Sequence, residues 1–141
     1  MKITDLKPTI VWKFFHQVTQ VPRPSKKEGK MIEFLESFAK EYKIAIKKDE
    51  AGNLLMSKPA TPGMEDRPVV VLQSHMDMVC EKNNGTKHDF DNDPIETIVD
   101  GEWLRANGTT LGADNGIGVA AELALLASDE SNTVRSNVCS R

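Results

Sequence analysis

The sequence predicts an α/β fold, a mixed β-sheet flanked by helices, and three observations carry that prediction. Stretches with helical periodicity alternate along the chain with short extended ones. The run VVVL, residues 69–72, reads as a strand buried on both faces, in the middle of a sheet. The stretch GVAAELALLAS, residues 118–128, carries Glu122 as its only charge. As a helix it must be covered on most sides, by a sheet on one and by further chain on the other.

The elements follow in order. Leu6, Ile10, Val11, Phe14, Phe15 and Val18 recur at helical spacing, which predicts an amphipathic helix over residues 6–20. Pro8 fits its first turn, where backbone donors have no internal partner, and VPRP, residues 21–24, ends it. Ser25 and Glu28 stand at capping-box spacing. The helix they open, running to about Tyr42, should bury Met31, Phe34 or Leu35, Phe38 and Ala39. Ile44 and Ile46 alternate with polar residues, DEAGN (49–53) is a turn, and LLMSK (54–58) returns, which makes a hairpin. A Pro-rich loop from Pro59 to Pro68 leads into VVVL. KNNGTKHDFDNDP (82–94) is a long polar loop, and residues 96–106 form a second hairpin around Asp100-Gly101. NGTTLGADNGIG (107–118) is a Gly-rich loop that enters the last helix. From Asp129 to Arg141 the chain is polar with no strong period, and it reads as a tail outside the domain of residues 1–128. There is no internal repeat and no sign of a second domain.

At 141 residues the chain has a usual length for one domain. With 39% hydrophobic and 28% charged residues it is too apolar for disorder. The net charge of −3 comes without a basic stripe, which argues against nucleic-acid binding. The first residues are amphipathic and interrupted by Pro8, unlike a signal peptide, and no apolar run approaches the ~20 residues of a membrane span. Cys80 and Cys139 do not make a disulfide framework. The expected compartment is the cytoplasm.

Chemistry concentrates in two places. His75 and Asp77 follow the VVVL run two positions apart, so on an extended chain they face one side. In open α/β sheets ligands gather beyond the carboxyl ends of strands. An imidazole there can bind a metal through one ring nitrogen while a carboxylate holds the other ring N–H and fixes the tautomer. By itself H-x-D is also a common tripeptide of a strand-to-loop turn. Asp114 sits in GADNG, between two glycines and before a helix. A carboxylate there can bridge two cations ~3.5–4 Å apart, or Asp114 or Asn115 can simply cap the helix. GIGVAA (116–121) matches the G-x-G-x-x-A of dinucleotide sites, but TTLGADN before it is not the buried strand that fingerprint needs. His16, His88 and Cys80 carry no assigned role, Cys80 reading as a small buried thiol.

Together, VVVLQSHMDMVCEKN and GTTLGADNGIGVAAELALL are more specific than their parts. They resemble the dinuclear zinc metallopeptidases of the aminoacylase and carboxypeptidase group, most of all its bacterial dipeptidases acting on Xaa-His dipeptides. LKPTIVWKFFHQV, VPRPSKKEGK, HDFDNDPI and DGEWLRANGTTLGADNGIG carry the same resemblance, which runs from about residue 5 to residue 128. The resemblance implies a zinc-exopeptidase-like catalytic domain of which this chain is the N-terminal part, two zinc ions (with other divalent metals an open alternative) and a dipeptide substrate. His75 matches the histidine that ligates one zinc, Asp114 the carboxylate bridging the two, and Asp77 the catalytic-site acid that orients the histidine. A cis peptide at Asp114–Asn115 is implied as well. Homodimerisation of the full-length enzyme is left open.

The departures are as specific. The resemblance calls for a Glu-Glu pair beyond the helix, its first member the general base and its second a zinc ligand, then a further acid and a histidine. None has a match here, and Asp129 and Glu130 come too soon after Asp114. A smaller lid domain has no counterpart either. The expectation is therefore a truncated portion that is inactive alone, or a non-catalytic piece that associates through the apolar helix at 117–127.

Overall fold

The computed structural model describes residues 1–128 and the backbone of residues 136–140. A 3-10 turn at Ile3–Asp5 precedes helix α1 (Thr9–Thr19) and helix α2 (Gly29–Glu41). Strands β1 (Ala45–Lys48), β2 (Leu54–Lys58) and β3 (Val70–Ser74) follow, then hairpin β4 (Thr97–Asp100) and β5 (Trp103–Ala106), helix α3 (Ala113–Ala127) and strand β6 (Ser136–Ser140). The four-stranded sheet runs β1-β2-β6-β3, and β4-β5 is a separate pair. β6 is antiparallel to β2 and parallel to β3, with Val138 opposite Met56 on one side and Leu72 on the other. The sheet is thus mixed, as predicted, and α3 is the crossover that parallel neighbours β3 and β6 require.

The first helix buries Phe14, Phe15 and Val18 and leaves Ile10 40% exposed. It starts at Thr9 rather than at residue 6, because Pro8 stands outside it as the N-cap residue. The second helix buries Met31, Leu35, Phe38 and Ala39, so the alternative between Phe34 and Leu35 resolves to Leu35. Phe14 meets Phe38 edge to face at 5.5 Å, which locks α1 to α2. Each such buried ring or branched chain contributes roughly 1.5–3 kcal/mol by leaving water. α2 ends in a Schellman motif: the Ile44 N–H donates to Ala39 O at 2.8 Å and the Lys43 N–H to Lys40 O. That closure puts Lys43 at φ +56°, where glycine is usual.

Two expectations need correction. VVVL is not buried on both faces: Val69, Val70 and Val71 are 47%, 44% and 61% exposed. Among the described residues β3 is an edge strand with β6 as its neighbour, and α3 meets it at Ser74. α3 in turn needs no further chain as its second cover, because α1 lies across it. Val119, Ala120, Leu123, Ala124 and Leu126 are buried and Leu125 alone of its large apolar residues is exposed. Within the expected tail, residues 136–140 form β6, whose backbone fills the gap between β2 and β3. The boundary placed after Ser128, and Asp129 and Glu130, lie outside the described residues.

A buried polar link joins α3 to β3. Ser74 Oγ donates to Glu122 Oε2 at 2.7 Å, both residues being 5% exposed. Burial holds the Glu122 carboxyl above its usual 4.5, and the Ser74 hydrogen bond only partly opposes this. The native state therefore binds this proton more tightly than the unfolded chain does. Stability then falls as pH rises from 4.5 through the raised native value. Glu122→Gln keeps an acceptor for Ser74 and loses the charge. Urea unfolding from pH 4 to pH 8 should show the variant gaining on the parent as pH rises; parallel curves would contradict this. Lys43→Gly should raise stability by about 0.5–1 kcal/mol, since relief of the left-handed conformation outweighs the added chain entropy. A lower urea midpoint for that variant would show that Lys43 is unstrained.

Candidate metal centre

Beyond β3 the chain continues extended, and its alternation decides the geometry. Met76 and Met78 are buried, 1% and 3% exposed, and pin one side into the core. His75 and Asp77 are thereby turned together to the other side, as their spacing predicts. His75 Nδ1 lies 3.0 Å from Asp77 Oδ1. His75 Nε2 lies 3.0 Å from Asp114 Oδ1, 39 positions away. The three residues singled out in the sequence therefore meet in one place, with the imidazole between two carboxylates. Asp114 stands almost free, its side chain 96% exposed.

Local backbone chemistry presents Asp114. Gly112 takes φ +69°, and Asp114 and Asn115 are non-helical within the span of α3, which becomes regular from Gly116. The Asp114–Asn115 peptide is cis. Asp114 is not used as a cap, since its Oδ1 faces the His75 ring. The Asn115 amide folds over Gly118, where a β-carbon would collide with it.

Two residues that sequence reasoning passed over touch this site. Ser25 does not cap α2: its hydroxyl donates to Asp77 Oδ2 and also to Met78 O. Glu28, the other half of the expected capping box, accepts from the Lys26 N–H instead. Arg23 is buried, 1% exposed, and donates to Met76 O, Asp77 O and Gly112 O. The signal was present in VPRPS: prolines on both sides of an arginine forbid a helix and hold the backbone extended. There the Met78 N–H reaches Arg23 O at 3.0 Å and the Ser25 N–H reaches Met78 O.

The charges balance around the imidazole. Burial alone would lower the affinity of His75 for a proton, but the Asp114 and Asp77 carboxylates outweigh it and raise the value. Burial would raise Asp77, but the Ser25 hydroxyl and His75 outweigh it and lower the value. Asp77 therefore stays an acceptor for the Nδ1 proton, which leaves Nε2 to face Asp114. An imidazole nitrogen and a carboxylate oxygen are donors that zinc takes at ~2.0–2.2 Å. At 3.0 Å apart both can reach one cation, so these residues fit a metal. Among the described residues no group of three or more His, Cys, Asp or Glu is placed to hold an ion.

The remaining candidates stand apart. His16 on α1 and His88 in the polar loop each bury one ring nitrogen without a partner among the described residues, and His88 packs against Phe90 at 4.4 Å. Cys80 is half-buried, and burial pushes its thiol up against the pull of Arg23. β5 ends at Ala106, and the loop between it and Gly116 contradicts a dinucleotide fingerprint.

No protein-family model matches the chain. A cytosol non-specific dipeptidase of Escherichia coli (strain K12) is 49% identical over 128 residues, which is 91% of this chain and 26% of that protein. The crystal structure of aminoacylhistidine dipeptidase from Vibrio alginolyticus superposes with a TM-score of 0.97 at 46% identity, covering 99% of this chain and 29% of its own. A tripeptidase from Staphylococcus aureus subsp. aureus mu50 matches with a TM-score of 0.74 at 21% identity, over 93% of this chain and 35% of its own, and shows a shared fold. The resemblance read from the sequence and the α/β architecture are both borne out. The chain spans between a quarter and a third of the length of the dipeptidases it matches.

Proposed function

On the premise that this chain is related through nearly all its length to cytosol non-specific and aminoacylhistidine dipeptidases, we propose that it forms part of a metal-dependent peptidase that hydrolyses dipeptides, Xaa-His among them. The observation that carries the reading is the 3.0 Å approach of His75 Nε2 to Asp114 Oδ1. His75 and Asp114 are the ligands this chain would contribute to zinc. Asp77 is the acid that orients the imidazole, and Ser25 holds the second oxygen of Asp77. Bound zinc would supply a water acidified toward a pKa of about 7 and an electrophile for the scissile carbonyl. The cytosol in the relative's name supports a cytoplasmic setting, and no helix among the described residues is long and apolar enough to cross a membrane.

The chain as it stands offers two direct ligands, where a zinc ion takes four. The glutamate base and the later ligands that the resemblance calls for have no match in it. It should therefore bind zinc weakly and hydrolyse nothing alone. Equilibrium dialysis with zinc should show weak binding that His75→Ala and Asp114→Asn each remove; binding unchanged in both variants would refute the ligand assignment. Cleavage of an Xaa-His dipeptide by the purified chain, abolished by chelator and restored by zinc, would refute its inactivity.

A second reading is a non-catalytic piece that associates with other chains. The exposed Val69–Val71 edge favours it. A compact monomer by light scattering would count against it.

A further inference from the structure

Arg23 has no part in the hydrolytic reading, yet its side chain hydrogen-bonds the backbone of both segments of the candidate centre. Its Nη1 donates to Met76 O at 3.1 Å and Asp77 O at 3.2 Å, the two carbonyls on either side of Asp77. Its Nη2 donates to Gly112 O at 2.6 Å, two residues before Asp114. We propose that Arg23 is a positioning residue that sets the separation of His75 and Asp114 by clamping their two backbone segments to one rigid guanidinium. The proposal rests on the metal-centre reading for its zinc readout only.

Shape supports the clamp as strongly as the hydrogen bonds do. A β-carbon on Gly112 would stand 2.5 Å from Nη2, and one on Gly116 would stand 2.6 Å from it. The mouth of α3 is thus built around this guanidinium. A lysine cannot replace it, because a single ammonium lacks the planar fork that reaches two segments at once. Core filling does not explain the residue either. Arg23 Nε is buried with no partner among the described residues, and an apolar side chain of similar volume avoids that desolvation.

The experiment uses the whole 141-residue chain with two variants, Arg23→Lys and Gly116→Ala. Alanine is the better helix former, so any loss in Gly116→Ala traces to crowding of the guanidinium and of Phe15, whose ring lies 3.2 Å from the new carbon. Three quantities are read: zinc affinity by competition with a chromophoric chelator, the metal-free nuclear Overhauser contact between the His75 ring and the Asp114 methylene, and the Phe14–Phe38 ring contact as a control of the fold. Both variants should bind zinc about 10–100-fold more weakly, the range for residues that orient metal ligands. Both should lose the His75–Asp114 contact and keep the Phe14–Phe38 contact. Retention of the His75–Asp114 contact, with zinc affinity within about twofold of the parent, overturns the proposal. If Arg23→Lys loses the Phe14–Phe38 contact as well, Gly116→Ala decides by the same criteria. If the parent chain binds no zinc, the metal reading fails, and the metal-free contact alone decides the role of Arg23.

Discussion

A cation sealed in the interior organises this molecule. Arg23 is charged at neutral pH even though burial lowers its pKa to about 10, with Asp77 pulling the other way. An ion removed from water costs several kcal/mol unless its hydrogens find acceptors, and here the acceptors are main-chain carbonyls from two distant segments. Glycines at 112 and 116 leave room for that charge, and prolines at 22 and 24 flank its backbone. What local propensity leaves loose, a strand end and a helix start, becomes fixed because both must serve the same guanidinium.

What the sequence made legible was periodic or motif-bound. The hairpin around Gly52, the β4-β5 turn, and the buried faces of α1 and α2 follow from alternation and helical spacing over a few residues. His75, Asp77 and Asp114 were legible because the residue types and the surrounding glycines match a recognisable pattern. The failures all involve partners far away in sequence. Ser25 has the spacing of a helix cap, but its hydroxyl is taken by Asp77, 52 residues on. Arg23 looks like punctuation between prolines until Gly112, 89 residues on, is brought to it. β6 has no usable period of its own, and its backbone position is set by the strands on both sides.

The valines of β3 show the same limit from the other direction. A run of four apolar residues tells how little water a strand prefers, not how many neighbours it finds. Only Ser74 at the strand's end is buried, where Glu122 of α3 meets it. The buried end leads into His75 and Asp77, while the exposed beginning, at the edge of the sheet, is bounded on one side by β6.

Met76 and Met78 alternate with the two polar residues of the site and anchor them from below. Oxidation of either thioether would place a sulfoxide in the apolar interior, beneath the imidazole and against the mouth of α3. Peroxide sensitivity of these two sulfurs is thus a chemical clock for breathing of the loop, ticking only when the floor of the centre opens.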